Sequence, residues 1–278
     1  MTGSASPDDT DLVAALGEVQ RGLILVVTGA GISLASGIPT FRGTDPGAVW
    51  KRDVTELGTL RYFTEDPVGS WRWYLSRFDC VMKARPNPAH EALCALERWQ
   101  TARGGDFLLI TQNIDTLHEQ AGARNLVKVH GSADRVRCSV DGCVNGAPRG
   151  SLPHTVVDVE RFLRAPAPES LPRCPACGAT LRIHVLWFDE YYTGHDDYGW
   201  GRVLSAADEA DLFLFVGTSF SVGVTDLLLQ AAVLRGRPAF LVDPGMSAPH
   251  PSVRLVAARA EEALPRVVHR LGAAGAAG

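Results

Sequence analysis

At 278 residues, with 46% hydrophobic and 21% charged residues, the chain has the make-up of a soluble globular enzyme and ample length for a real core, as one large or two smaller domains. A net charge of −4 leaves no electrostatic footprint for nucleic acid or an anionic membrane surface. The acidic start, Met1 to Asp11, has neither a basic nor an apolar signal region. Apolar runs such as Leu212 to Val216 are too short to span a bilayer, so the expected compartment is the cytoplasm.

In chain order, residues 1–11 are expected to be disordered. Asp11 to Arg21 reads as an amphipathic helix, and Leu23 to Thr28 as a strand that runs straight into Gly29-Ala30-Gly31-Ile32-Ser33. Gly43 to Pro88 is helical by spacing and rich in rings (Trp50, Tyr62, Phe63, Trp71, Trp73, Tyr74, Phe78), most of them expected in the core. Ala89 to Ala102 reads as a helix, Phe107 to Thr111 as a buried strand and Leu126 to His130 as strand-like. From Ser132 to Leu181 the texture changes to Pro, Gly, Cys and Arg with little periodicity, the mark of a separate loop-rich module. Strands at Leu212 to Gly217 and Ala239 to Val242 flank a helix from Thr225 to Leu234. The Gly/Ala tail, 272–278, is expected to be disordered. Strands alternating with helices predict an α/β fold with a doubly wound parallel sheet, whose ligands bind beyond the carboxyl ends of the strands. The notable motifs fall there, after Val27, Ile110, Val129 and Val216.

Glycines after the first strand let the backbone turn sharply, and amides bared there suit a pyrophosphate. The third glycine of the ordinary dinucleotide fingerprint would fall at Leu34, and a plain strand-to-helix turn is the competing reading. Thr111-Gln112-Asn113-Ile114-Asp115-Thr116-Leu117-His118 places two amides and a carboxylate at a strand end. They either cap the next helix or serve a carboxamide and a ribose, which need donors and acceptors together. His130, before Gly131, is a competent base at neutral pH or a satisfied structural residue, with His90, His118 and His184 as competitors. Cys138-x4-Cys143 and Cys174-x2-Cys177 read as a structural zinc site, because four thiolates close a tetrahedron and leave no open position. Cys80 and Cys94, in apolar helical context, read as core thiols.

The continuation Ser36-Gly37-Ile38-Pro39-Thr40-Phe41-Arg42, together with the 111–118 segment, the His130-Gly131 pair, the paired cysteines and Gly217-Thr218-Ser219, resembles the sirtuins, NAD-consuming protein-lysine deacylases, in the family's order over nearly the whole chain. The resemblance implies a Rossmann-like NAD domain of residues 12–42, 89–131 and 183–271, a helical part 43–88 and a zinc-ribbon module 132–182. It assigns NAD contacts to Gly29, Ala30, Gly31, Ser33, Phe41, Arg42, Gln112, Asn113, Ile114, Asp115, Gly217, Thr218 and Ser219. Asn113 and His130 become catalytic, with Asp115 on the carboxamide, and His118 braces the motif. Asp243 stands where the family commonly has asparagine near the adenosine, and Ala260 matches an adenine-side contact. Val185, Phe188, Asp189 and Glu190 fall on what resembles the strand that clamps the substrate peptide, Leu186 to Glu190, with Asp189 replacing the usual glycine. The first cysteine pair is also wider than is usual in the family.

Tyr74 and Arg77, at i and i+3, share a helix face, where a phenol and a guanidinium form a carboxylate receptor. A surface arginine beside a core tyrosine is the plainer reading. The pair resembles the Tyr-x-x-Arg of sirtuins that remove succinyl and malonyl groups. Pro86-Asn87, His90 and the small Gly58 sit at matching spacing. The implied reaction has the acyl-lysine oxygen displace nicotinamide from NAD, with His130 then deprotonating a ribose hydroxyl to yield free lysine and an O-acyl-ADP-ribose. Mono-ADP-ribosyl transfer, NAD hydrolysis and a non-catalytic NAD-sensing scaffold are the alternatives. The expected partners are acylated lysines of proteins, with no nucleic acid or membrane, and the expected state is a monomer.

Overall fold

The computed structural model describes residues 9–39, 54–245 and 247–275. Helix α1 (Thr10–Glu18) is followed by strand β1 (Leu23–Thr28), a 3₁₀ turn at Ala30–Ser36, then α2 (Val54–Leu57), α3 (Leu60–Glu65), α4 (Pro67–Lys83) and α5 (Pro88–Ala102). Next come β2 (Asp106–Thr111), α6 (Leu117–Ala121), β3 (Leu126–Lys128), β4 (Gly131–Cys138), β5 (Leu152–Pro153), α7 (Val159–Arg164) and β6 (Leu181–Val185). The chain ends with α8 (Trp200–Glu209), β7 (Ala210–Val216), α9 (Gly223–Leu234), β8 (Ala239–Val242), β9 (Val253–Val256) and α10 (Ala260–Gly275).

Among the described residues, six parallel strands pair in the order β3-β2-β1-β7-β8-β9. The chain therefore leaves the sheet in one direction after β1 and resumes in the other at β7, so the crevice beyond β1 and β7 is the topological switch point. The inner strands are buried along nearly their full length, as the continuous apolar runs Leu23–Val27 and Leu212–Val216 require when helices cover both faces. One face packs on α1, α5 and α10 through Leu16, Leu93, Phe107 and Leu264, and the other on α8 and α9 through Val203 and Leu228.

The smaller sheet, β5-β4-β6, is antiparallel. Its core joins α3 and α4 to the cysteine region: Phe63, Trp71, Trp73 and Tyr74 pack with Val136, Phe162, Ile183 and Trp187. Residues 54–83 and 131–187 thus share one core. Strand β6 belongs to this small sheet, so residues 183–185 leave the expected NAD domain and join the module.

Four expectations change. Residues 9–11 are ordered rather than disordered, because α1 begins at Thr10 and the buried Asp9 pairs with Arg266 and Arg270 of α10. The C-terminal helix continues through Gly275, so residues 272–275 are helical rather than disordered; its apolar face, with Val267 and Leu271 buried, carries the helix past the glycine. Cys80 is exposed on the outward side of α4, whereas Cys94 is buried. The segment 186–190 is a turn, and the strand beside it is β6. No helix among the described residues is long and apolar enough to cross a membrane.

Candidate active site and metal centre

The glycine turn after β1 and the turn after β7 interlock at the switch point. The Gly29 amide donates to the Val216 carbonyl (3.0 Å) and the Gly31 amide to the Gly217 carbonyl (2.9 Å). A Cβ on Gly31 would lie 2.7 Å from Gly217 Cα, and Gly217 itself has φ +56°. The glycines therefore serve backbone-to-backbone approach. Two amides that the sequence offers to a pyrophosphate are committed to β7 instead. Phe41 and Arg42 lie outside the described residues.

The strand ends carry a relay of hydrogen bonds. Asn113 Nδ2 donates to the Gly29 carbonyl (3.0 Å) and to Ser33 Oγ (3.1 Å), and Ser33 Oγ donates to Asp115 Oδ2 (2.9 Å). Asp115 Oδ1 accepts from the Leu117 amide (3.0 Å), so the carboxylate braces the start of α6, as the helix-capping reading expects. Gln112 Nε2 donates to the Thr28 carbonyl (3.2 Å) and to Thr218 Oγ1 (3.0 Å). With both amide groups spending their NH₂ inward, each keeps its carbonyl oxygen as an acceptor, and Asp115 keeps half its lone pairs. This acceptor set fits hydroxyls of a ribose and an NH₂ of a carboxamide. Below it, Thr28 Oγ1 meets Thr111 Oγ1 (2.9 Å) and His118 Nε2 (3.0 Å), so His118 braces the ends of β1 and β2. Asn87 Nδ2 holds the far end of the glycine turn through the Ile32 carbonyl (2.8 Å) and Ser36 Oγ (2.9 Å), and His90 completes the capping box of α5.

His130 faces this relay from the end of β3. Its Nδ1 lies 2.9 Å from the Gln112 carbonyl, an acceptor only, so Nδ1 carries the proton and Nε2 presents a lone pair. Tyr192 OH stands 3.4 Å from that Nε2 and stacks on the ring. Burial lowers the His130 pKa to about 4, against the opposing pull of the Gln112 carbonyl, so the imidazole is neutral near pH 7. Gly131 fixes the turn: with φ +76°, a Cβ there would lie 2.3 Å from the His184 carbonyl. His90 and His184 are both buried away from this opening.

The remaining expected contacts spread out. Ser219 is exposed and pairs with Ser221 (2.7 Å). Asp243 Oδ1 accepts from the Gly245 amide (2.9 Å) in the turn after β8. Ile114 packs against the small-module core. Ala260 is buried in the main core at the start of α10, where its side chain packs the fold.

On the substrate side, Phe188 is 53% exposed, free to meet an incoming chain, while Val185 is buried in β6. Asp189 caps α3, its carboxylate accepting from the Leu60 (2.7 Å) and Arg61 (3.1 Å) amides. Glu190 turns inward: Arg182 grips both its oxygens (2.6 and 2.9 Å), and Arg137 (2.8 Å) and the Trp187 amide (2.9 Å) add to them. These arginines hold its pKa down against burial, so Glu190 is a buried counter-ion rather than a substrate contact. Sequence reasoning missed Arg137, Arg182 and Tyr192. The apolar flanks of Arg182 were the one signal of a buried cation.

On α4, Tyr74 OH accepts from Trp187 Nε1 at 2.5 Å, and burial raises the phenol's pKa, so its O–H stays a donor. Arg77 lies over the Trp73 ring (4.6 Å) and donates to the Trp73 carbonyl (3.2 Å) and Ser76 Oγ (3.1 Å).

Sulfur atoms of Cys138, Cys143, Cys174 and Cys177 converge within 4.8 Å of one another. Cys138–Cys177, Cys143–Cys177 and Cys143–Cys174 are 3.4, 3.6 and 3.7 Å apart. A tetrahedral zinc with sulfur at about 2.3 Å requires edges of about 3.8 Å, so the four fit that ion. The Gly178 amide closes the second knuckle onto the Cys174 carbonyl (2.9 Å). The wider first pair is accommodated by a longer loop folded back through Gly142 to the Ala147 carbonyl (2.7 Å). The Val140 amide and Asn145 Nδ2 approach Cys138 and Cys174 sulfur at 3.4 Å, as supporting donors.

A Rossmann-type switch point, a neutral histidine facing an amide–hydroxyl–carboxylate relay and a four-thiolate cage in a separate module define a dinucleotide-binding protein with a structural metal module. The Sir2 family model matches residues 29–224, and the chain belongs to that family. It is 42% identical over 224 residues to an NAD-dependent protein deacylase of Thermus thermophilus (79% of this chain, 78% of that one) and 37% identical over 249 residues to the NAD-dependent protein deacylase 1 of Pseudomonas aeruginosa (89% and 93%). Among solved structures it resembles a point mutant of a Sir2 homologue in complex with ADP-ribose (TM-score 0.80, 33% identity, 97% of this chain and 98% of that one). It also resembles a Sir2 homologue–NAD complex (TM-score 0.77, 34% identity, 97% and 96%).

Proposed function

We propose that the chain is an NAD-dependent protein-lysine deacylase that releases nicotinamide and an O-acyl-ADP-ribose, with His130 as general base. The observation that carries this is the His130 tautomer: Nδ1–H is pinned on the carbonyl of Gln112, the residue before Asn113 of the Asn113–Ser33–Asp115 relay, which leaves a lone pair on Nε2. NAD supplies an electrophilic ribose carbon as nicotinamide departs. Asn113 and Gln112 orient the ribose through their free carbonyl oxygens. Asp115, held by Ser33, would accept from the carboxamide, and Thr218 and Ser219 would hold the phosphates and ribose. His130 removes a ribose hydroxyl proton at Nε2, and Tyr192 steadies the ring. Simple NAD hydrolysis or ADP-ribosyl transfer has no need of that base, which disfavours those readings. Zinc at the four cysteines is structural, since the thiolates leave it no open position.

Phe188 and the turn around it present the clamp for the acylated lysine. The finer reading is a preference for acyl groups that end in a carboxylate. Its support is that Trp187 only donates to Tyr74, so the phenol keeps its O–H to offer, one helical turn from a partly buried guanidinium. Arg77 must give up Ser76 Oγ to reach such a group. The working compartment is the cytoplasm, where reduced thiols persist for the metal, and the working unit is the single chain.

The test is nicotinamide release on acetyl-, succinyl- and malonyl-lysine peptides. Arg77→Met should lower succinyl kcat/KM about ten- to a hundredfold, mainly through KM, because a charge-assisted bond is worth roughly 1.5–3 kcal/mol. Acetyl turnover should stay level. An equal loss on both substrates, or no succinyl activity in the wild type, removes the carboxylate receptor and leaves a deacetylase.

A further inference from the structure

We propose a second metal site, for a single divalent first-row ion, formed by His184, His195 and Asp197. One donor atom from each residue lies within 4.8 Å of the other two. His184 Nε2 stands 3.1 Å and His195 Nδ1 3.8 Å from Asp197 Oδ2. Ligand atoms at about 2.0–2.1 Å from a tetrahedral zinc stand about 3.4 Å apart, so small side-chain adjustments close the set.

The surroundings prepare these groups as ligands. His195 donates Nε2–H to the Gly150 carbonyl (3.1 Å), which fixes the lone pair on Nδ1, facing Asp197. A ligating histidine ordinarily holds such a carbonyl with its other nitrogen. Ser151 Oγ donates to Asp197 Oδ2 (2.8 Å) and orients the carboxylate. His184 is 1% exposed, and its Nδ1 has no hydrogen-bond partner among the described residues. Its Nε2 meets the carboxylate without hydrogen-bond geometry, so a fully buried imidazole is aimed at this point and is otherwise unsatisfied. The one bond that must yield is from the Asp197 amide to His195 Nδ1 (3.1 Å). Asp197 borders an open cavity of about 440 Å³ that gives an ion a path in and room for a water as fourth ligand. Two imidazoles and a carboxylate with one open position suit zinc or cobalt better than calcium or magnesium.

The site would join two elements that meet at the catalytic histidine. His184 lies on β6, one residue before Val185, the partner of Gly131. His195 and Asp197 follow the segment that carries Tyr192 onto His130 Nε2. This site is independent of the cysteine cage and of the proposed reaction.

The test uses the full chain with its cysteine site loaded with zinc. Equilibrium dialysis against micromolar free zinc, followed by elemental analysis, should give two zinc ions per chain. Asp197→Asn and His195→Gln should each return this to one, with the cysteine-bound ion retained. Ser151→Ala, which keeps all three ligands, should weaken the second ion about tenfold. Cobalt added to the zinc-loaded protein should give visible d–d bands without the near-ultraviolet charge transfer of thiolate ligands, a readout that stands even if a ligand variant fails to fold. One zinc per saturated wild-type chain, a second ion retained in both ligand variants, or thiolate character in the cobalt spectrum would overturn the proposal.

Discussion

The two sheets of this molecule hold their functional groups by different chemistry. Around the switch point, placement is by hydrogen bonds on a continuous apolar core, with the Asp115 carboxylate as the charged member of the relay: Gly29 and Gly31 on β7, Asn113 on Ser33, Ser33 on Asp115, His130 on the Gln112 carbonyl. The small sheet is held by charge and sulfur. Four thiols converge at one end, and at the other Glu190 sits between Arg182 and Arg137, with the Arg182 guanidinium 3.1 Å from the centre of the Trp187 ring. The small sheet shares its apolar core with α3 and α4, and adds to it a thiolate cage and a buried ion network. The larger sheet has area enough to leave its polar groups for chemistry.

The largest break in that contrast should come from the metal. Cys174→Ser, or stripping zinc with a strong chelator, removes binding energy on the order of 10 kcal/mol that is also folding energy. The near-ultraviolet signal of Trp71, Trp73 and Trp187 should collapse while the far-ultraviolet helical signal of the parallel domain persists. Simultaneous loss of both would show that the two cores are one cooperative unit.

Next in size is Glu190→Ala, which leaves two buried guanidinium groups without their counter-ion. A cost of about 3–5 kcal/mol in urea unfolding is expected. Near-neutral stability in this variant would mean that water already reaches the arginines.

A smaller, pH-dependent loss belongs to the other sheet. Burial lowers the pKa of His90 to about 4 and takes His118, beside it, well below 6.5. An imidazole whose folded pKa is depressed costs nothing above its unfolded value, and stability is lost as pH falls from about 6.5 through about 4. For His90 the full loss is on the order of 3 kcal/mol. His90→Gln keeps the capping box, because glutamine also reaches back to the cap amide, and should flatten the decline in unfolding midpoint between pH 7 and 5. An unchanged slope would clear His90 of this role.

How far the sequence could be read follows the same division. Strand β1, its glycine turn, the 111–118 relay, His130 and the cysteine pairs are legible because each function lies in contiguous residues at fixed spacing. The 272–275 extension of α10 is hidden by its composition, because glycine and alanine carry no periodic signal. Glu190 reads as a clamp residue until Arg137 and Arg182 arrive from two other strands, and Asp189 until Leu60 and Arg61 offer their amides. The Gly29 and Gly31 amides look available for phosphate because only the fold brings β7 against them. Strand β9 is illegible because it has only four residues and its two middle ones are exposed, whereas helix α8 carries a helical pattern, with Val203, Ala206 and Ala207 buried on one face, that the sequence reading passes over.

The central claim is that His130 Nε2 acts as the base in an acyl-lysine-dependent reaction of NAD. The most direct test follows nicotinamide release and peptide deacylation together for the wild type and His130→Ala, with NAD binding measured on both. The account predicts nicotinamide release by the wild type only with an acylated peptide, matched one-for-one by deacylated lysine. In the variant, deacylation should fall by about 10²–10⁴-fold, with NAD affinity nearly unchanged. Deacylation near the wild-type rate in His130→Ala, or release of nicotinamide regardless of acyl-lysine, would contradict it.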